Sequence, residues 1–148
     1  MKVSPDSYSS EITSGNVRKF RLPNGLVGFP EHTHFELEEV PDQAPFLWFH
    51  LQGPNTLHFV VLEPNGVIPD YELELFDEDA EFLGIRDSSD AIVLNIVTVK
   101  NSQPEAATVN LAGPVIVNRK TGVAKQCILA NYSRYSAHHR LMDATASR

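Results

Sequence analysis

From residue 35 onward, apolar residues along the chain recur mostly at every second position in short runs. Phe35 and Leu37 alternate with Glu36 and Glu38, and Tyr71, Leu73 and Leu75 alternate with Glu72 and Glu74. Such two-residue alternation marks strands with one dry and one wet face. Phe46-Leu47-Trp48-Phe49, entered through Pro45, and Leu57 to Leu62, closed by the turn-like Glu63-Pro64-Asn65-Gly66, are continuous apolar runs. Ala91 to Val99 is apolar and β-branched on both faces except at Asn95 and Thr98, which predicts a central strand covered on both sides. Val109 and Leu111, Val115 to Val117, and Gln126 to Leu129 complete the set, with Arg119-Lys120-Thr121-Gly122 as the turn of the last hairpin.

One short helix is expected. Asp77 suits its N-cap, Glu78, Asp79 and Glu81 favour the positive end of the helix dipole, and Gly84 is placed to end it. The predicted class is all-β with one short helix, arranged as a small, compact, β-barrel-like fold of short antiparallel strands. Residues 1–16 are Ser-rich and weakly patterned, a loose N-terminal arm or a ragged first strand. Residues 17–141 form a single domain, and residues 142–148 a frayed tail.

Composition narrows the picture. A chain of 148 residues, 42% of them hydrophobic, is long enough to bury a core without disulfide or metal support. The single cysteine, Cys127, excludes an intramolecular disulfide. The first ten residues lack the apolar core of a secretory signal, and no apolar run reaches the ~18 residues of a membrane span. A cytoplasmic location is the expectation. The net charge of −7 argues against direct nucleic-acid binding. It is also unevenly spread: residues 111–148 carry six of the twelve Lys and Arg but one acid, Asp143.

Chemistry is sparse. There is no dinucleotide fingerprint, phosphate loop, CxxC or HExxH pattern. Gly25-Leu26-Val27-Gly28 is too short and apolar for a phosphate loop and reads as a turn bringing the backbone close to itself. His32 and His34 would share a face on a strand and could in principle meet His138 and His139 at a metal. They lack partners with defined metal-ligand spacing, so surface and half-buried histidines are the favoured reading. His50 and His58, within apolar runs, read as hydrogen-bonded structural histidines. Cys127 reads as buried and structural, and Asp70, Glu72 and Glu74 as solvated carboxylates rather than an acid–base pair. No catalytic, cofactor or metal site is therefore expected. The feature that stands out is the run from Asp70 to Asp90, with nine acids (Asp70, Glu72, Glu74, Asp77, Glu78, Asp79, Glu81, Asp87, Asp90) and one base, Arg86. Such a local excess creates a negative field that attracts basic partners.

An ordered set of segments resembles the FliW family of bacterial flagellar assembly factors. They are Phe20 to Phe29, Pro45-Phe46-Leu47-Trp48, Phe59-Val60-Val61, Pro69-Asp70-Tyr71-Glu72 with Leu75, Asp79 and Leu83-Gly84, Ile96 to Val99, Thr108 to Asn118, Thr121, Gln126, Ile128-Leu129, and Tyr135-Ser136 with His139. The similarity covers about residues 17–141. Val27 departs from the family's usual proline and Ala124 from its usual glycine. The resemblance implies a β-barrel-like, non-enzymatic cytoplasmic regulator that binds flagellin and the RNA-binding carbon storage regulator CsrA. Freed when flagellin is exported, such a protein antagonises CsrA and relieves repression of flagellin translation. On that reading the face formed by Pro69, Asp70, Tyr71, Glu72, Glu74, Asp77, Glu78, Asp79 and Glu81 would meet or adjoin the basic surface of CsrA, with Pro69 and Tyr71 as anchors. Asn110, Asn118 and Thr121 are expected to cap strands and turns. The competing expectation is a small-molecule-binding β-barrel with an apolar pocket lined by Trp48 and Phe49.

Overall fold

The computed structural model describes residues 1–5, 17–39, 42–99 and 106–141. The strands are β1 (Lys2–Val3), β2 (Val17–Arg21), β3 (His34–Glu39), β4 (Phe46–Gln52), β5 (Leu57–Leu62), β6 (Leu73–Glu74), β7 (Ala91–Thr98), β8 (Thr108–Val109), β9 (Val115–Asn118), β10 (Ala124–Gln126) and β11 (His139–Arg140). The helix α1 (Asp77–Leu83) joins β6 to β7, and 3₁₀ turns lie at Ser88–Asp90 and Tyr132–Arg134.

The main sheet runs β10-β9-β7-β5-β4-β3-β2, and every strand pair in it is antiparallel. β8 continues the sheet beside the end of β7 and carries β11 on its far side. β1 and β6 form a separate two-stranded ribbon. The sheet curls so that its first and last strands approach. The Arg21 amide donates to the Gly122 carbonyl at 2.9 Å, and Arg21 and Val123 form an isolated parallel bridge. The fold is therefore barrel-like, but no ladder of hydrogen bonds joins β2 to β10.

Alternation builds the interior of this curl. Phe35 and Leu37 of β3, Leu47, Phe49 and Leu51 of β4, and Ile92 and Leu94 of β7 point inward and are buried. The Phe35 ring stacks between Phe20 (5.1 Å) and Phe49 (4.2 Å). Each such ring contributes on the order of 1.5–3 kcal/mol by leaving water.

The second core lies across β7. Ala91, Val93 and Val97 face away from the curl and pack with Leu73, Leu75, Leu83, Ile116, Leu129 and Leu141. β7 is thus covered on both sides, as its unbroken apolar pattern requires. Asn95, on this second side, is fully buried. Its Nδ2 donates to the Tyr71 hydroxyl oxygen at 3.0 Å and to the Asn110 carbonyl at 2.9 Å.

Three local expectations are corrected. α1 is capped at its N-terminus by Phe76, whose side chain makes no capping hydrogen bond, so Asp77 is the first helical residue rather than the cap. The strand expected over Gln126 to Leu129 ends at Gln126, because Cys127 and Leu129 turn to donate their amides to the carbonyls of Pro114 and Ala112. Trp48 and Phe49 line no common pocket: they are successive residues of β4, so Phe49 is in the core and Trp48 is on the outer face.

The remaining turns match their residues. Gly84 closes α1 in the left-handed region (φ 70°). Gly25 (φ 64°) is held where a Cβ would lie 2.2 Å from the Phe29 carbonyl oxygen, the close backbone approach that its sequence context suggests. Of the terminal segments, Lys2–Val3 pairs with Leu73–Glu74, while residues 6–16 and 142–148 fall outside the described residues.

Candidate functional site: an acidic face on β6 and α1

The acid run divides once it is folded. Tyr71, Leu73 and Leu75 point into the second core, so period-two geometry turns Glu72, Glu74 and Phe76 outward. Tyr71, expected as an anchor of this face, is 4% exposed. Its hydroxyl donates to the Leu111 carbonyl, and burial pushes its pKa up strongly. Tyr71 holds the core together and is not available as a surface contact. Pro69 and Asp70 are exposed, and Asp70 adopts a left-handed backbone (φ 57°) that aspartate tolerates better than most residues.

Most of the acids acquire cations. Glu74 accepts from the Met1 ammonium at 2.5 Å, and Asp77 lies 3.7 Å from the same group. Glu72 lies 3.9 Å from Arg134. Asp79, in the first turn of α1, is buried against β10 and accepts from the Lys125 ammonium. That hydrogen bond raises the Lys125 pKa above its usual value. Asp87 caps the 3₁₀ turn by accepting from Ser89, which lowers its pKa, and Asp90 is lowered chiefly by its hydrogen bond with Lys120, 3.0 Å away. Asp70, Glu78 and Glu81 are exposed and make no ion pair among the described residues. Asp87, exposed and hydrogen-bonded to Ser89, makes none either, so the acids of the β6–α1 face left without an ion pair are Asp70, Glu78 and Glu81.

Two aromatic residues stand beside these acids. Phe76 is 45% and Phe82 46% exposed, and the Lys125 ammonium sits 5.7 Å above the Phe82 ring. Neither is among the expected contacts, although the sequence carries the signal. Phe76 falls on the outward phase of the alternation that begins at Tyr71. Phe82 lies one position before the buried Leu83, at the margin of the face α1 presents to the core.

The expected capping residues are in place. Asn118 Nδ2 donates to the Leu83 carbonyl at 2.8 Å, while its Oδ1 accepts from Lys120 and Thr121 amides, tying the end of α1 to the β9–β10 turn. Asn110 Oδ1 accepts from Ala112 and Gly113, and Thr121 Oγ1 accepts from Val123. His32 and His34 do not share a strand face: His32 lies before β3, not on it, and is buried with Nε2 3.0 Å from Asn55 Oδ1, while His34 opens β3 and is exposed. Burial pushes the Cys127 thiol up to about 12, so it stays protonated at neutral pH. Among the described residues, no helix is long and apolar enough to cross a membrane.

A sequence model of the FliW protein family matches residues 5–141. The chain belongs to the FliW family. It is 32% identical over 143 residues to a flagellar assembly factor FliW from Natranaerobius thermophilus, covering 97% of this chain and 93% of that protein. It is 38% identical over 117 residues to one from Clostridium novyi, covering 79% and 80%. A crystal structure of the flagellar assembly factor FliW superposes with a TM-score of 0.70 at 35% identity, covering 89% of each chain. On the β6–α1 face of this FliW-family chain, three acids that make no ion pair among the described residues stand beside two exposed aromatic rings.

Proposed function

We propose that the chain is a non-enzymatic flagellar assembly factor that works in the cytoplasm by binding two proteins, flagellin and CsrA. Bound to flagellin it is held in reserve. Released by flagellin export, it binds CsrA and relieves the repression of flagellin translation. It binds no nucleic acid itself.

The observation that carries this reading is the β6–α1 face. Asp70, Glu78 and Glu81 are exposed and make no ion pair among the described residues, and Phe76 and Phe82 supply apolar area among them. Unpaired acids steer a basic partner toward the face, and exposed aromatics give the bound state its lifetime. An RNA-binding regulator is basic by necessity, since it must neutralise phosphates. A carboxylate-bearing protein seated on or beside that surface would disfavour RNA there.

Calorimetry with purified CsrA and flagellin at two salt concentrations tests the proposal. One-to-one binding of CsrA that weakens with salt supports it. The variant Asp70→Asn, Glu78→Lys, Glu81→Lys changes net charge by five units (1 + 2 + 2) without touching a buried group. It is expected to slow CsrA association by at least about tenfold and to flatten the salt dependence. Unchanged affinity and unchanged salt dependence would exclude this face. Binding to neither partner by the folded wild-type chain would remove the function.

A further inference from the structure

On the outer face of the main sheet, away from the β6–α1 surface, three polar side chains form a relay across three strands. His50 of β4 and His58 of β5 are direct cross-strand partners. Their Nδ1 atoms are 2.7 Å apart, with the rings nearly perpendicular at 82°. The other nitrogen of His50, Nε2, lies 3.1 Å from Oε1 of Glu38 on β3.

This geometry fixes one proton. The Glu38 carboxylate only accepts, so His50 Nε2 must carry a hydrogen. When His50 carries only that proton, its Nδ1 presents a bare lone pair aimed at His58. His58 answers by donating from its own Nδ1. A carboxylate that orients an imidazole through one nitrogen, leaving the other as a ligand, is the outer-shell arrangement found behind metal-bound histidines. Here it exists with a proton standing where a cation would sit.

We propose that His50 Nδ1 and His58 Nδ1 form a two-histidine site for a divalent cation of the nickel or zinc class, with Glu38 holding His50 in the ligating tautomer. Imidazole nitrogen selects such ions over magnesium or calcium. Two nitrogens each ~2.1 Å from one ion, at coordination angles of ~90° to ~109°, are about 3.0 to 3.4 Å apart. The pair must open by about 0.3 to 0.7 Å from its present 2.7 Å, and both rings must turn so that their lone pairs converge on the ion. His58 is exposed and His50 half-buried, so both rings can turn without disturbing the core. On binding, the His58 hydrogen leaves Nδ1 and Nε2 takes one up from solvent, so no net proton is released. Among the described residues no three potential ligands converge, so water fills the remaining positions.

The site has a built-in reporter. Trp48, the only tryptophan of the chain, stacks on His50 with ring centroids 6.1 Å apart and planes 14° apart. Titration of the full-length protein with nickel(II) chloride, followed by tryptophan fluorescence, tests the proposal. Saturable quenching with one-to-one stoichiometry is expected. It should vanish in His58→Ala and in the size-preserving His58→Gln, with unchanged far-UV circular dichroism as the control for folding. Glu38→Gln should keep the site but weaken it by about tenfold, the usual consequence of losing an outer-shell partner. No quenching at millimolar nickel overturns the site. So does quenching that survives both His58 variants, which would assign the metal to other histidines.

Discussion

Tyr71 shows how a single residue can be drawn toward two opposite roles. An aromatic residue flanked by acids is what an interface anchor looks like, but the ring lies in the second core and its hydroxyl belongs to a buried network with Asn95 and Leu111. The distinction is measurable. Tyr71→Phe keeps the ring and removes the hydroxyl, leaving the Leu111 carbonyl and one Asn95 N–H without a partner. Removing one member of a buried pair costs about 1–3 kcal/mol. Denaturant unfolding should show a loss of that size, while CsrA affinity of the folded variant stays unchanged. A folded Tyr71→Phe protein with undiminished stability and weakened binding would return Tyr71 to the surface role. Asp79 follows the same logic: its charge looked like part of a solvated run, but it is buried against Lys125 and contributes little to the outward field.

At the scale of elements, the strands that alternate or run apolar throughout were legible from pattern alone, because one buried face imposes a period of two. β3, β5 and β7 begin and end close to where their hydrophobic residues do. The β10 boundary was not legible: Cys127, Ile128 and Leu129 are as apolar as a strand, and what ends β10 is a pair of carbonyls on the Ala112–Pro114 loop. The cap of α1 was misplaced for a similar reason. Asp77 is a strong capping residue by type, but β6 delivers Phe76 to the capping position and Asp77 into the first turn, where its charge still favours the helix dipole. The Gly25 turn was legible and yields a sharp comparison. Gly25 and Gly66 both have positive φ, 64° and 77°, but a Cβ at Gly66 meets nothing within 4 Å, whereas at Gly25 it meets the Phe29 carbonyl at 2.2 Å. Alanine at Gly66 should cost only the left-handed backbone penalty of about 1–2 kcal/mol. Alanine at Gly25 should cost clearly more, because the Leu22–Phe29 turn must shift its backbone. Thermal unfolding of the two variants side by side reads the difference directly, and equal losses would mean that the turn yields freely.

In the whole molecule, folding cancels a polarity that the linear sequence displays. The acids are concentrated before residue 110 and the basic excess after it, but Lys120, Lys125 and Arg134 return to Asp90, Asp79 and Glu72. These partners lie 30 to 62 positions apart, beyond the reach of any local pattern, so the sequence could locate the acid run but not say which acids would stay unpaired. The same long-range construction governs stability. β7 is the shared wall of both cores, with Val93 facing one and Leu94 the other. Neither core can loosen without releasing the strand that the other needs, so the domain should unfold as a unit. Val93→Ala and Leu94→Ala test this from opposite sides. Leu94→Ala should lose about 2–5 kcal/mol and Val93→Ala somewhat less, in line with the smaller volume removed. In both, the transition seen by Trp48 fluorescence on the outer sheet face should coincide with that seen by far-UV circular dichroism. If Val93→Ala shifted the circular dichroism transition but left the Trp48 transition in place, the two cores would be separable units. The β6–α1 face could then open while the main sheet stayed folded.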